Sequence, residues 1–479
     1  MKKPILVLQM QRMGDLILSF PLFLWLERTF PGHPIRVVAE PVFFRELAAA
    51  GPAVQYVSWA ESARLAGESF HLTVNLSHRP EAAALAGQVR TEELAGPYRD
   101  AGGATRIRGD WQLYRASLVH NNRHNQYHWA DLNALDVIPL ASMARTRWEP
   151  PQHMGLERLK AGLFLGASQA EKRPDAAFWA GLARELYRRG MTVILLGGPG
   201  ETALGRETEA GCKGMALNAC GKMSLAELAY FSQHLALCVT PDTGPMHLFS
   251  WTGRRVLNLS MGPVSPFETG PYQPGRHVLR ARMSCRGCWA CHRERIFCKE
   301  RFTPEAVGYL AWRLARGESA KARSARLPGL ELLETAREAR GLYDLRGAPA
   351  SDQGAAAPDA RRLAGDFWAE VFGVFFGLAQ RAGDAEGAGA RAAWGRLAGA
   401  HPAFARAFSR SALKLSREMT LIVRGRTALP GEDFWRGFAP HLRPLTGYLN
   451  MRLHNEDFSP AAFKSALELL TRLAALMED

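Results

Sequence analysis

An α/β fold of two doubly wound halves followed by a helical extension is what this sequence predicts, on three observations. Short apolar runs of strand length alternate with amphipathic stretches of helix length through the first 310 residues, the order expected of stacked βα units. The double proline Pro150-Pro151 interrupts that alternation near its middle, and consecutive prolines oppose regular structure. Beyond residue 361 no convincing strand remains, and apolar residues recur at helix spacing, as in Phe367, Trp368, Val371, Phe372, Phe375 and Phe376.

In chain order, residues 5–9, 35–39 and 72–76 read as strands of the first half. Residues 163–165, 192–196, 237–240 and 256–259 read as strands of the second. Residues 16–30 read as a helix, and residues 175–189 as an amphipathic helix that Gly190 ends. Residues 347–359, small and containing Pro and Gly, have linker composition. The expected division is 1–150, 151–317, a linker 318–360, and a separate helical region 361–479 whose aromatic stripe is its core.

At 479 residues there is chain enough for two substantial cores and an appendage, and 47% hydrophobic with 22% charged residues is ordinary globular composition. Sixty Lys and Arg against 46 Asp and Glu favour anionic partners. Lys2 and Lys3 imitate the start of a signal peptide, but Gln9, Gln11, Arg12 and Asp15 interrupt any apolar core after them. The apolar run 16–26 contains Ser19 and Pro21 and is shorter than the ~20 residues that cross a bilayer. The expectation is a cytoplasmic protein, with peripheral contact at the inner leaflet.

The segment 238–247, C-V-T-P-D-T-G-P-M-H, joins a strand to a helix. It puts Asp242, Thr243 and Gly244 at the helix N-terminus, where unpaired N–H groups and the helix dipole favour a phosphate. Asp242 or Thr243 acting as a plain helix cap is the competing reading. A second turn, Arg12-Met13-Gly14-Asp15, follows the first strand, and Asp15 there is either a cleft carboxylate or a cap of the next helix.

Taken together, R-x-G-D-x-x-L-x-x-P from Arg12 to Pro21 and D-T-G-P-M-H from Asp242 to His247 resemble glycosyltransferase family 9, the ADP-heptose:lipopolysaccharide heptosyltransferases and their relatives. Gly166-Ala167-Ser168 with Glu171-Lys172-Arg173, then Gly197-Gly198-Pro199-Gly200-Glu201, then Gly221-Lys222-Met223-Ser224 fall in the family's order. The resemblance covers residues 1–315. It implies a GT-B architecture, two Rossmann-like domains facing across a cleft, with the acceptor in the first and the nucleotide sugar in the second.

The resemblance also implies roles. Asp15 matches the general base, and Lys172, with Thr243 and Gly244, the groups that carry the leaving diphosphate without a metal. Ser168, Glu201, Met223, Asp242 and His247 match the remaining donor-binding positions, Glu201 toward the ribose and Met223 toward adenine. Where the family commonly reads K-x-W-P, this chain reads Lys172-Arg173-Pro174-Asp175, so the aromatic is missing, and Arg173 either adds a second positive charge or marks a motif that has drifted.

Cys285, Cys288, Cys291 and Cys298 lie within 14 residues. They are four soft ligands suited to a structural zinc, or less readily an iron–sulfur cluster, against free or redox-active thiols. Arg286, His292, Arg293 and Arg295 make their surroundings basic. The expected function is inverting transfer of heptose from an ADP-heptose to a lipopolysaccharide inner core. One rival is a related transferase with another nucleotide sugar and a glycan or protein acceptor such as flagellin. A second is a basic nucleic-acid-binding protein with a Cys-rich metal module, which leaves Asp15 and the Asp242 turn unexplained.

Overall fold

The computed structural model describes residues 2–152, 159–347 except 284, 286, 287, 289 and 292, 359–378, and 387–478. The first half is a six-stranded sheet. Its strands are β1 (Ile5–Leu8), β2 (Ile35–Ala39), β3 (Gln55–Ser58), β4 (Ser69–Asn75), β5 (Arg90–Arg99) and β6 (Thr105–Arg108), in the order β3-β2-β1-β4-β5-β6. All neighbours are parallel except the edge pair β5–β6. Helices cover both faces, which is why β1 is apolar and buried at every position.

The second half is an eight-stranded sheet of order β14-β13-β12-β11-β10-β7-β8-β9. It comprises β7 (Lys160–Phe164), β8 (Thr192–Leu196), β9 (Leu217–Asn218), β10 (Leu237–Pro241), β11 (Val256–Ser260), β12 (His277–Ala281), β13 (Leu330–Arg337) and β14 (Tyr343–Arg346). β7 to β12 run parallel. Asp175 caps the helix Ala176–Arg188 by accepting the Phe178 N–H at 2.8 Å, and Gly190 beyond it takes φ +79°. The α/β class and the two facing doubly wound sheets are as the sequence implies.

Three expectations need correction. The residues taken as one helix from 16 to 30 form two, Met13–Leu18 and Phe20–Thr29, because Pro21 cannot donate into the preceding turn. The span 318–360 is not a linker throughout: β13 and β14 form a hairpin, antiparallel to β12, that extends the sheet. Charges at Glu331, Glu334 and Arg337 hid the alternation of Leu330, Leu332 and Leu345. The most Pro/Gly-rich part of that segment, 348–358, lies outside the described residues.

Third, the C-terminal helices are not separate. Helix Ala360–Phe375 buries Phe367, Trp368, Val371 and Phe372 in one apolar core with Trp111, Tyr114 and Leu118 of the first half. The Tyr114 and Phe372 rings lie 4.4 Å apart, and Trp111 and Phe376 4.8 Å. β6 is the exposed edge of the first sheet, and Asn455, at the end of helix Arg443–Asn455, pairs it. The Asn455 Oδ1 accepts the Ile107 N–H at 2.6 Å and its Nδ2 donates to the Ile107 carbonyl at 3.0 Å. An edge strand closed this way cannot recruit another chain.

The two halves are tied by buried polar contacts. Asp131, 1% exposed, accepts hydrogen bonds from the Tyr272 hydroxyl at 2.5 Å and the Tyr343 N–H at 2.9 Å, with Arg337 at 3.9 Å. Trp251 donates its indole N–H to the Ala50 carbonyl at 2.7 Å. No described helix is long and apolar enough to cross a membrane.

Candidate active site

The candidate site lies where the carboxyl ends of the two sheets face each other, as ligand sites do in doubly wound folds. After β1 the chain turns into helix Met13–Leu18; after β10 it turns through Asp242 and Thr243 into helix Gly244–Trp251. The two helix N-termini meet at glycines. A Cβ on Gly14 would lie 3.5 Å from His247 Cδ2 and 3.7 Å from Gly244 Cα, and the Met13 methyl occupies the space a Gly244 side chain would need. Side chains at either position would hold the halves apart.

Asp15 stands in the third position of its helix, and its Oδ2 accepts the Arg12 N–H at 3.2 Å. The cap reading is therefore met, yet the same carboxylate is within electrostatic reach of the other half. Burial raises its pKa, against the Arg12 N–H and the charges of Arg115, Arg12 and Lys172. Burial likewise pushes the Asp242 carboxyl up to about 6. Lys172 and a hydrogen bond from the Thr269 hydroxyl at 3.3 Å act the other way, and Asp15 adds to the rise. Two like charges thus share one lysine.

Lys172 ends the short turn Ala170–Lys172 and is half-buried. The Thr243 side chain does not cap its helix, which leaves that N-terminus open to an anion. His247 is buried, which brings its imidazole down to about 3 and keeps it neutral. Its Nδ1 has no partner among the described residues.

A second group gathers at the ends of β7 and β8. Glu201 Oε2 accepts the Gly198 N–H at 2.9 Å. A Cβ on Gly166 would lie 2.5 Å from Glu201 Cδ, and one on Gly197 2.6 Å from Glu201 Cβ, so both glycines make room for this carboxylate. Met223 is half-buried against the cluster containing Phe164, Ile194 and Leu196. Ser168 is exposed on the bend after β7.

Sequence reasoning missed Arg115, which helix Asp110–Ser117 carries fully into the interior. It donates to the Leu76 carbonyl at 2.8 Å and to Gln112 Oε1 at 3.1 Å, and lies 4.9 Å over the Trp129 ring. Burial lowers its pKa to about 10 while Asp15 raises it. The available signal was an arginine set among Trp111, Leu113, Tyr114 and Leu118, on a face that otherwise reads as core. Glu268 was missed too. It is buried beside Asn122 Nδ2 at 2.6 Å and Asn125 Nδ2 at 3.2 Å, with burial pushing it up to about 7.

Of the four cysteines, Cys298 is buried, Cys288 exposed and the other two intermediate. Burial raises the Cys288 and Cys298 thiols, and neighbouring thiols of the four add to the rise. The sulfurs are therefore gathered, but among the described residues no group of three or more His, Cys, Asp or Glu is arranged to hold a metal. Arg286 and His292 lie outside the described residues.

Residues 118–295 match the family model of glycosyltransferase family 9 (heptosyltransferase). Comparison with curated proteins gives no match. Among solved structures, the chain is similar to the family 9 glycosyl transferase of Veillonella parvula. That match has 19% identity and a TM-score of 0.45, over 56% of this chain and 84% of that one. It is similar to ADP-heptose lps heptosyltransferase II of E. coli at 18% identity and a TM-score of 0.45, over 66% and 99%. It is also similar to E. coli heptosyltransferase WaaC with ADP, at 15% and 0.47, over 65% and 99%. The family match over residues 118–295 and the order of the motifs agree in supporting a glycosyltransferase.

Proposed function

We propose that this chain transfers heptose from an ADP-heptose to a lipopolysaccharide inner-core acceptor, with inversion and without a catalytic metal. The observation that carries the reading is the convergence of Asp15 from one sheet with Lys172 and Asp242 from the other. The acceptor hydroxyl attacks the anomeric carbon as its proton passes to Asp15. The bond from that carbon to the diphosphate oxygen breaks, and ADP leaves with the electron pair. A base buried enough to have its pKa raised takes a proton more readily than a solvated carboxylate.

Lys172 and the uncapped N-terminus of helix Gly244–Trp251 carry the charge of the leaving diphosphate. Glu201, held over Gly166 and Gly197, accepts from the ribose hydroxyls, and the backbone beside Met223 meets the adenine. Calorimetric titration tests the donor assignment. ADP is expected to bind more tightly than UDP, and tighter UDP binding would redirect the reading to another nucleotide sugar.

A further inference from the structure

We propose that a pocket at the junction of the two halves and the C-terminal helices binds an oxyanion, phosphate or carboxylate, borne by the sugar acceptor. Three separate parts of the chain build it. They are the loop 123–126 of the first half, the ends of β11 and β12, and the first turn of helix Ala360–Phe375. Its cavity volume is about 40 Å³, the scale of an anionic group rather than of a whole sugar. Its described lining includes Arg123, Arg280, Arg361 and Arg362 and no carboxylate.

A buried hydroxyl without a partner marks the floor. Ser260 is 7% exposed, and its Oγ makes no hydrogen bond among the described residues. Leaving such a group unsatisfied costs about 1–3 kcal/mol, which a bound oxygen recovers.

The guanidinium groups of Arg361, Arg362 and Arg280 are held in place by other contacts. Arg361 Nε donates to the Arg123 carbonyl at 2.9 Å, and Arg362 pairs with Asp366 at 3.0 Å and Asp344 at 3.9 Å. Arg280 pairs with Glu331 at 2.6 Å. Arg362 and Arg280 also lie over the Phe267 ring, at 4.6 and 5.2 Å. Guanidiniums fixed in this way meet an oxyanion with little loss of side-chain freedom. His124 in the same wall adds no charge, since burial and the neighbouring Arg361 and Arg123 bring it down to about 3.

The location indicates acceptor rather than donor. Donor groups gather at the ends of β7, β8 and β10, whereas this pocket lies at the ends of β11 and β12. Gly262 lines it, and a Cβ there would lie 3.6 Å from Lys172 Cα, so an anion in the pocket sits beside the reaction centre. The assignment to the acceptor rests on the transferase reading above; the oxyanion site itself does not.

The test uses the full chain saturated with ADP, so that the donor site is filled, and calorimetric titration with glucose 6-phosphate, glucuronate and glucose. One of the anionic sugars is expected to bind at least tenfold more tightly than glucose. Preference for glucose 6-phosphate indicates a phosphate site, and preference for glucuronate a carboxylate site. Arg123→Gln combined with Arg361→Gln should weaken the anion about tenfold and leave ADP affinity unchanged. Arg123→Gln alone, on an exposed side chain, gives a smaller loss and guards against misfolding of the pair. Equal binding of glucose and both anions, or anion binding unaltered by Arg123→Gln and by the pair, would overturn the site. Failure to bind ADP, with anion binding still sensitive to the arginines, would sink the transferase reading and leave the pocket standing.

Discussion

Gly262 presses on the turn that carries Lys172. Its φ is +76°, and a Cβ at that position would lie 2.6 Å from the Glu171 carbonyl oxygen. Gly262→Ala must strain the backbone and displace that turn. Stability should fall by about 1 kcal/mol or more, and ADP affinity by roughly tenfold as Lys172 shifts, about 1.4 kcal/mol. Urea denaturation and ADP calorimetry measure the two; unchanged ADP affinity would separate Lys172 from the diphosphate.

Asp15→Asn keeps the shape of the side chain and its capping contact with the Arg12 N–H but cannot accept the hydroxyl proton. Turnover is expected to fall roughly 10²-fold or more with little change in ADP affinity. Retained turnover with an authentic acceptor would reduce Asp15 to a helix cap.

Asp242 gives stability a pH dependence of defined sign. Its pKa in the folded protein, about 6, exceeds the ordinary 3.8, so the native state binds that proton more tightly. The contribution is fully present below pH 3.8 and is lost as pH rises through about 6. Asp242→Asn removes the dependence. Relative to wild type, the variant should gain stability between pH 4 and pH 7, as measured by denaturant unfolding at both. A wild-type-minus-variant difference that is flat across this window would contradict the burial of Asp242.

Phe372 stands at the contact between the C-terminal helices and Tyr114. Phe372→Ala should cost about 3–5 kcal/mol, as large buried aromatics do. A loss below about 1 kcal/mol would mean the helices fold apart from the first half.

On the proposed mechanism, in which Lys172 and the open helix N-terminus carry the diphosphate charge, transfer should persist in EDTA. The assay is run with zinc and iron quantified in the same sample, so that metal on the cysteines is counted separately. Activity lost in EDTA and restored by magnesium would refute the metal-free mechanism.

The strands that define the candidate site were legible because they are buried on both faces and read as continuous apolar runs. β2 and β8 have the bounds the sequence suggests, and β10 and β11 differ from it by one residue at their ends. The strands β6, β13 and β14, at or next to the end of their sheets, were not legible, since charged residues interrupt their apolar positions. Asp15 and the Asp242 turn stood out because glycines beside strand ends carry a local signal. Arg115 and Glu268 sit at no such turn: Arg115 was marked only by the apolar residues around it and Glu268 by nothing local, because a buried charge is recognised by what surrounds it. The aromatic stripe of 367–376 signalled burial, but a periodic pattern does not say which surface covers it.

The union of the last helices with the first half has a consequence for how the chain is made. Trp111 and Tyr114 reach their final surroundings only after Phe372 and Tyr448 have been synthesised. The usual order, in which an N-terminal domain completes itself while the rest is still being translated, is therefore closed to this protein. Its first sheet must wait, with apolar surface uncovered, until more than 300 further residues have left the ribosome, and through that interval the uncovered surface is open to wrong contacts.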